Sequence, residues 1–215
     1  MQRLAITVLV DNPVCYMFEY LEELLSAIRE RGHKVRFIDD VKKIEKGDLL
    51  FILGCYAILS KKMLSLHKHN LVVHPSKLPE GRGSAALVNK ILEGENAVYL
   101  TLFEAVERVD AGDYYYQESI TFEGHELSDE IRALQTRKVF ELVLKFIDDY
   151  PNIRPKKQKG KSSFYKRRTP KDSELDPDKT LRDQFNLLRI VDNKHYPAFF
   201  VLRDHTYVLT IEKKW

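Results

Sequence analysis

Asn70–Gly83 reads "NLVVHPSKLPEGRG", and its two halves are built for different tasks. Leu71–Val73 is an apolar, β-branched run suited to a buried strand, and His74 closes it. Pro75 and Pro79 then stiffen the chain, Gly81 and Gly83 permit positive φ, and Ser76, Lys77 and Arg82 supply donors. A rigid, donor-rich loop at the lip of a strand suits an anionic or hydroxylated ligand.

The sequence on either side sets the fold class. Upstream, Leu4–Val10 reads as a first strand, and Asn12-Pro13 offers an N-cap and a first-turn proline. Leu21, Leu24, Leu25 and Ile28 recur at helical spacing, and Gly32 is placed to stop that helix. "KVRFID" and "DLLFILG" read as two more strands, the second a near-continuous apolar run, and "SKKMLSLHKH" reads as a short helix with solvated His67 and His69 at its end. Downstream come a helix over 84–93, strands in "AVYLTLFEAVE" and "YYYQESITF", and a long amphipathic helix over 129–149. Alternating strands and helices predict an α/β, Rossmann-like architecture: a mostly parallel twisted sheet with helices on both faces. Ligands of such sheets bind beyond the carboxyl ends of the strands, where His74 lies.

Pro151 and Pro155 end this pattern, which divides the chain into a catalytic domain over 1–152, a basic linker over 153–179 and a small subdomain over 180–215 made of a helix and a β-hairpin. Residues 154–168, "RPKKQKGKSSFYKRR", carry eight Lys or Arg and no acid, which from a net charge of +3 leaves the rest of the chain at −5. A local basic patch on an acidic molecule fits a phosphate-bearing partner better than general nucleic-acid binding. No apolar run approaches a membrane span. The first strand runs directly into Asp11, unlike a signal peptide, and two cysteines are too few for a disulfide framework or a thiolate zinc site, so a cytoplasmic protein without a metal is expected. "LVDNP" lacks the glycines of a dinucleotide-binding loop, and no GxSxG or HExxH motif is present.

Asp110 and Asp113 flank a glycine in "VDAGDYY", which alone is an ordinary turn. Taken with "HPSKLPEGRG" and the 36-residue separation of His74 from Asp110, it resembles the 10-formyltetrahydrofolate-dependent formyltransferases, most closely the sugar N-formyltransferases. The resemblance is tightest from about Asp48 to Gln117. It implies catalysis by His74 with Asp110, and a folate held by Tyr56, Ala57, Ile58, Leu59 and Asp110. It further implies an acceptor amine on a nucleotide-diphosphate amino sugar, met by Ser76, Lys77, Arg82, Phe164, Tyr165 and Arg168, with Tyr196 a further ring for stacking. Methionyl-tRNA or another amine, or a non-catalytic folate or nucleotide-sugar binding module, are the alternatives. The C-terminal hairpin offers a surface for pairing two subunits. The family places an asparagine two residues before the histidine, where this chain has Val72. Asn70 is the next amide on that face, roughly 7 Å further back, and a β-bulge would bring it within reach as an oxyanion donor.

Overall fold

The computed structural model describes residues 2–214. Its main sheet has six strands: β1 (Ala5–Leu9), β2 (Lys34–Ile38), β3 (Gly47–Ile52), β4 (His67–His74), β6 (Ala97–Glu104) and β7 (Tyr114–Thr121), in the order β2-β1-β3-β4-β6-β7. The first four are parallel, and β6 and β7 extend the sheet as an antiparallel pair. Two-residue strands β5 (Arg82–Gly83) and β8 (Phe164–Tyr165) pair with each other, and β9 (Ala198–Leu202) with β10 (His205–Leu209) forms the expected hairpin.

Strand β3 shows why the sheet is covered on both faces. Leu49, Phe51 and Leu53 point into one apolar cluster with residues of α1 (Leu21–Glu30) and α4 (Ser128–Asp149), whereas Leu50 and Ile52 point into a second with Met63 and Leu64 of α2 (Lys61–Leu64). From Leu49 to Leu53 the period-two side chains include no polar member and leave neither face free for water. A third cluster joins α3 (Ala86–Leu92) to Val98, Phe122 and Ile190, the last on α5 (Phe185–Ile190). No helix among the described residues is long and apolar enough to cross a membrane.

Two expectations are corrected here. The helix after β1 begins at Leu21, behind a 3-10 turn over Tyr16–Tyr20, and the Asn12 side chain accepts from Val14 N–H within a turn instead of capping the helix. His67 and His69 belong to β4 and are not solvated helix residues. His67 is buried against Thr7 Oγ1 at 3.2 Å, and His69 meets Glu104 at 3.1 Å and the Tyr115 hydroxyl at 3.3 Å.

The first of these histidines makes stability depend on acid. Burial pushes the His67 imidazole down to about 4, with the Arg36 charge adding to the effect. An unfolded chain takes up that proton near pH 6.5, so stability is complete above that pH and is lost as pH falls through the window from about 6.5 to about 4. The expected loss is on the order of 3 kcal/mol. Urea unfolding of wild type and His67→Gln at a series of pH values checks this: the difference between the two curves should grow with acidification only in that window.

Candidate active site

The parallel strands deliver three loops to one edge of the sheet. Connections diverge between β1 and β3, which are neighbours although β2 lies between them in sequence. Asp11, just past β1, spans this crevice: its carboxylate accepts from the main-chain N–H groups of Tyr56 and Ala57 at 2.7 and 2.9 Å. The 55–58 loop is thereby fixed with Tyr56 and Ile58 turned outward, 65% and 74% exposed, while Leu59 is buried below them. Two large apolar side chains held in the open by this tether form a surface that suits a flat ring system. Arg167 lies over the Tyr56 ring, 5.3 Å from its centroid.

Next along the sheet, β4 ends at His74, which is 8% exposed. His74 Nε2 is 2.7 Å from the carbonyl oxygen of Gly81. A carbonyl only accepts, so Nε2 carries the proton and Nδ1 of the neutral ring presents a lone pair. That Nδ1 faces Asp110 Oδ2 at 4.0 Å, too far for a direct hydrogen bond and close enough for the carboxylate to stabilise a charged ring. Asp110 takes φ +53° and accepts from Gly83 N–H at 2.9 Å. Gly112 makes this turn feasible, because a Cβ there would lie 1.7 Å from the Glu104 carbonyl oxygen.

The basic stretch expected as a linker is part of this site. Gln158 donates to the carbonyls of Asp110 and Gly112 at 3.0 and 2.8 Å and accepts from Arg82 at 2.7 Å. Lys156 and Tyr114 exchange both main-chain hydrogen bonds, and Ser163 accepts from Gly81 N–H. Strand β8 lies against β5 so closely that a Cβ on Gly83, at φ +95°, would meet the Tyr165 carbonyl at 2.4 Å.

The candidate residues therefore divide. His74, Asp110, Ser76 and Phe164 converge: the Ser76 hydroxyl is buried beside Gly81 with no hydrogen-bond partner among the described residues, and the exposed Phe164 ring adjoins Gly83. Lys77 faces outward with its ammonium over Tyr99. Arg82 donates to Gln158 while its Nε is buried without a hydrogen-bond partner among the described residues, the Tyr165 hydroxyl donates to Glu93, and Arg168 donates to the Asp172 carbonyl. Tyr196 is exposed next to the Asp192 turn. Asp11, Gln158 and Arg167 are additions; the one signal for Gln158 was an uncharged side chain standing among four lysines.

Asn70 is a correction. β4 keeps unbroken register with both neighbours, so no bulge moves Asn70 toward His74, and its amide donates to the Leu64 carbonyl at 2.9 Å. Val72, between them on the same face, packs into the α2-side cluster. Asn70→Ala is expected to leave turnover within about twofold and to lower stability by about 1–2 kcal/mol, the cost of one lost buried hydrogen bond. Parallel kinetics and denaturant curves check both halves.

Residues 13–139 match the family model described as formyl transferase. Methionyl-tRNA formyltransferase of Mycoplasma capricolum is 29% identical over 155 residues, 70% of this chain and 49% of that protein, so the chain spans about half the length of the curated relatives it matches. Among solved structures, methionyl-tRNA formyltransferase from Clostridium thermocellum has a TM-score of 0.80 at 18% identity, covering 94% of this chain and 90% of that one. HypX from Aquifex aeolicus, in complex with tetrahydrofolic acid, has 0.79 at 19% identity, covering 97% and 37%. A sugar N-formyltransferase from a Shewanella species has 0.73 at 16% identity, covering 99% and 98%. At these identities the structural likeness establishes the shared fold, and the sequence match, which includes the His74 loop and Asp110 and extends over more than half of the residues, establishes that the chain belongs to the formyl transferase family.

Proposed function

We propose that this chain transfers a formyl group from 10-formyltetrahydrofolate to the amino group of a nucleotide-linked amino sugar. The observation that carries the reading is the His74–Asp110 pair: a buried imidazole with Nε2–H fixed on a carbonyl and a free Nδ1 facing a carboxylate. The folate fits the 55–58 loop, where Tyr56 and Ile58 offer an apolar face. Asp11 consumes the N–H groups of Tyr56 and Ala57, so the loop meets a pteridine mainly with carbonyls, the acceptors that a pteridine's N–H edge requires. Bound there, 10-formyltetrahydrofolate supplies a formyl carbon on a nitrogen leaving group.

The chain's own part is proton handling. An amine attacking that carbon becomes an ammonium, and His74 Nδ1 takes one of its protons while Gly81 keeps the ring from turning. Asp110 stabilises the resulting imidazolium across the gap without needing to be protonated. The same proton passes from Nδ1 to the nitrogen that departs, so a C–N bond forms, another breaks, and His74 returns to its starting state. Such a cycle begins and ends with His74 neutral.

Two features favour a nucleotide-linked sugar as acceptor: the Phe164 ring beside the pair, open for a base to stack on, and a concentration of lysines on one flank of the same loop. A second reading, methionyl-tRNA, is favoured by the sequence relatives. The two are separated by assaying a panel of nucleotide-linked amino sugars beside charged initiator tRNA under one set of conditions. Formylation of a sugar nucleotide with kcat/KM at least about tenfold above that for the tRNA is expected; the reverse ratio overturns the sugar reading.

A further inference from the structure

On the flank of the His74 loop lies an open cleft of about 610 Å³ between residues 77–80 and 156–161. Five lysines line it, Lys77, Lys156, Lys157, Lys159 and Lys161, against a single acid, Glu80. Lys157 is paired with Asp113 at 2.9 Å and Lys77 sits over the Tyr99 ring, whereas Lys156, Lys159 and Lys161 have no ion-pair partner among the described residues. Holding several like charges around one hollow costs free energy through mutual repulsion, which an anion in the hollow relieves. The backbone forms this wall deliberately: Tyr114 and Lys156 exchange main-chain hydrogen bonds, and Gln158 turns inward to Asp110 between Lys157 and Lys159, which line the cleft.

Its place relative to His74 follows from strand register. Gln117, on the cleft wall, pairs with Thr101, and Thr101 pairs with His74. Two strand spacings, roughly 10 Å in all, thus separate cleft from imidazole. One sugar ring and its glycosidic phosphate cover that span. Nucleic-acid duplexes are gripped instead by phosphate contacts spread along a track, which five lysines around one hollow do not provide.

We infer that this lysine cleft is a diphosphate subsite, holding the phosphoryl groups of the acceptor while its amine reaches His74. The inference rests on the acceptor reading above, and its test separates the two. Inorganic diphosphate is titrated calorimetrically into wild type, Lys159→Ala/Lys161→Ala, and a charge-matched control, Lys34→Ala/Lys46→Ala, on exposed positions elsewhere. The cleft variant is expected to raise the diphosphate Kd by roughly tenfold or more and the control by less than about twofold. The cleft variant should also raise the acceptor KM by roughly tenfold, leaving kcat and the folate KM within about twofold. Diphosphate that does not bind, or binds equally well to both variants, overturns the subsite. An unchanged acceptor KM, or a loss confined to tRNA formylation, overturns its assignment to a small acceptor. Lysine-dependent diphosphate binding in a protein that formylates no sugar nucleotide supports the subsite and counts against the acceptor reading alone.

Discussion

His74→Gln and Asp110→Asn are each expected to lower kcat by at least about 100-fold, the scale of lost proton transfer by a positioned group. Glutamine is the informative replacement because its amide can still donate to the Gly81 carbonyl, so the loop keeps its tie while Nδ1 is lost. Asparagine at 110 likewise keeps an oxygen for Gly83 N–H and removes only the charge. If the two groups act as one unit, the double variant should be little worse than either single one. Thermal midpoints within a few degrees of wild type would separate lost chemistry from lost structure. Near-normal turnover in either single variant contradicts the assignment.

The second large effect concerns stability. Arg189, on α5, is 1% exposed and donates to the Glu126 carbonyl at 3.1 Å, to its carboxylate at 3.0 Å and to Asn96 at 3.0 Å. Glu126 also accepts from the N–H groups of Glu123 and Gly124. Arg189→Met leaves a buried carboxylate without its counter-charge and is expected to cost about 3–5 kcal/mol. Adding Glu126→Gln should recover much of that loss, since the cost lies in the orphaned charge more than in the missing contact. Burial raises the Glu126 pKa, but the backbone N–H groups and Arg189 outweigh it and hold the carboxyl below the usual range. The pair's contribution is therefore present above the ordinary glutamate pKa and is lost as pH falls through the lower folded value. Denaturant titrations of wild type, the two single variants and the double variant measure the cycle, and a loss under about 1 kcal/mol for Arg189→Met would show that the pair does not hold α5 in place.

Legibility in the sequence followed the range of the interactions. β1 and β3 were readable because burial on both faces demands uninterrupted apolar runs, and the His74 loop because proline and glycine constrain the backbone locally. The start of β4 was not readable, since "HKHN" has the polarity of a surface turn. His67 is buried by Thr7, 60 residues away, and His69 is paired with Glu104, 35 residues away. Arg189 and Gln158 look like ordinary surface residues until the fold brings Glu126 and Asp110 to them. The basic stretch followed the same rule: composition alone favours a solvated linker, and only the pairing of β8 with β5 makes it a wall of the site. Asn70 failed in the opposite sense, because a bulge cannot be deduced from side-chain parity.

Formyl transfer by this chain rests on His74 as the proton acceptor. Its most direct test is mass spectrometry of a nucleotide-linked amino sugar incubated with 10-formyltetrahydrofolate and either wild type or His74→Gln, with tetrahydrofolate release followed in the same tube. Gain of one formyl group on the acceptor, matched by tetrahydrofolate and at least about 100-fold slower with the variant, is the predicted result. Acceptor formylated at equal rates by both proteins would contradict it.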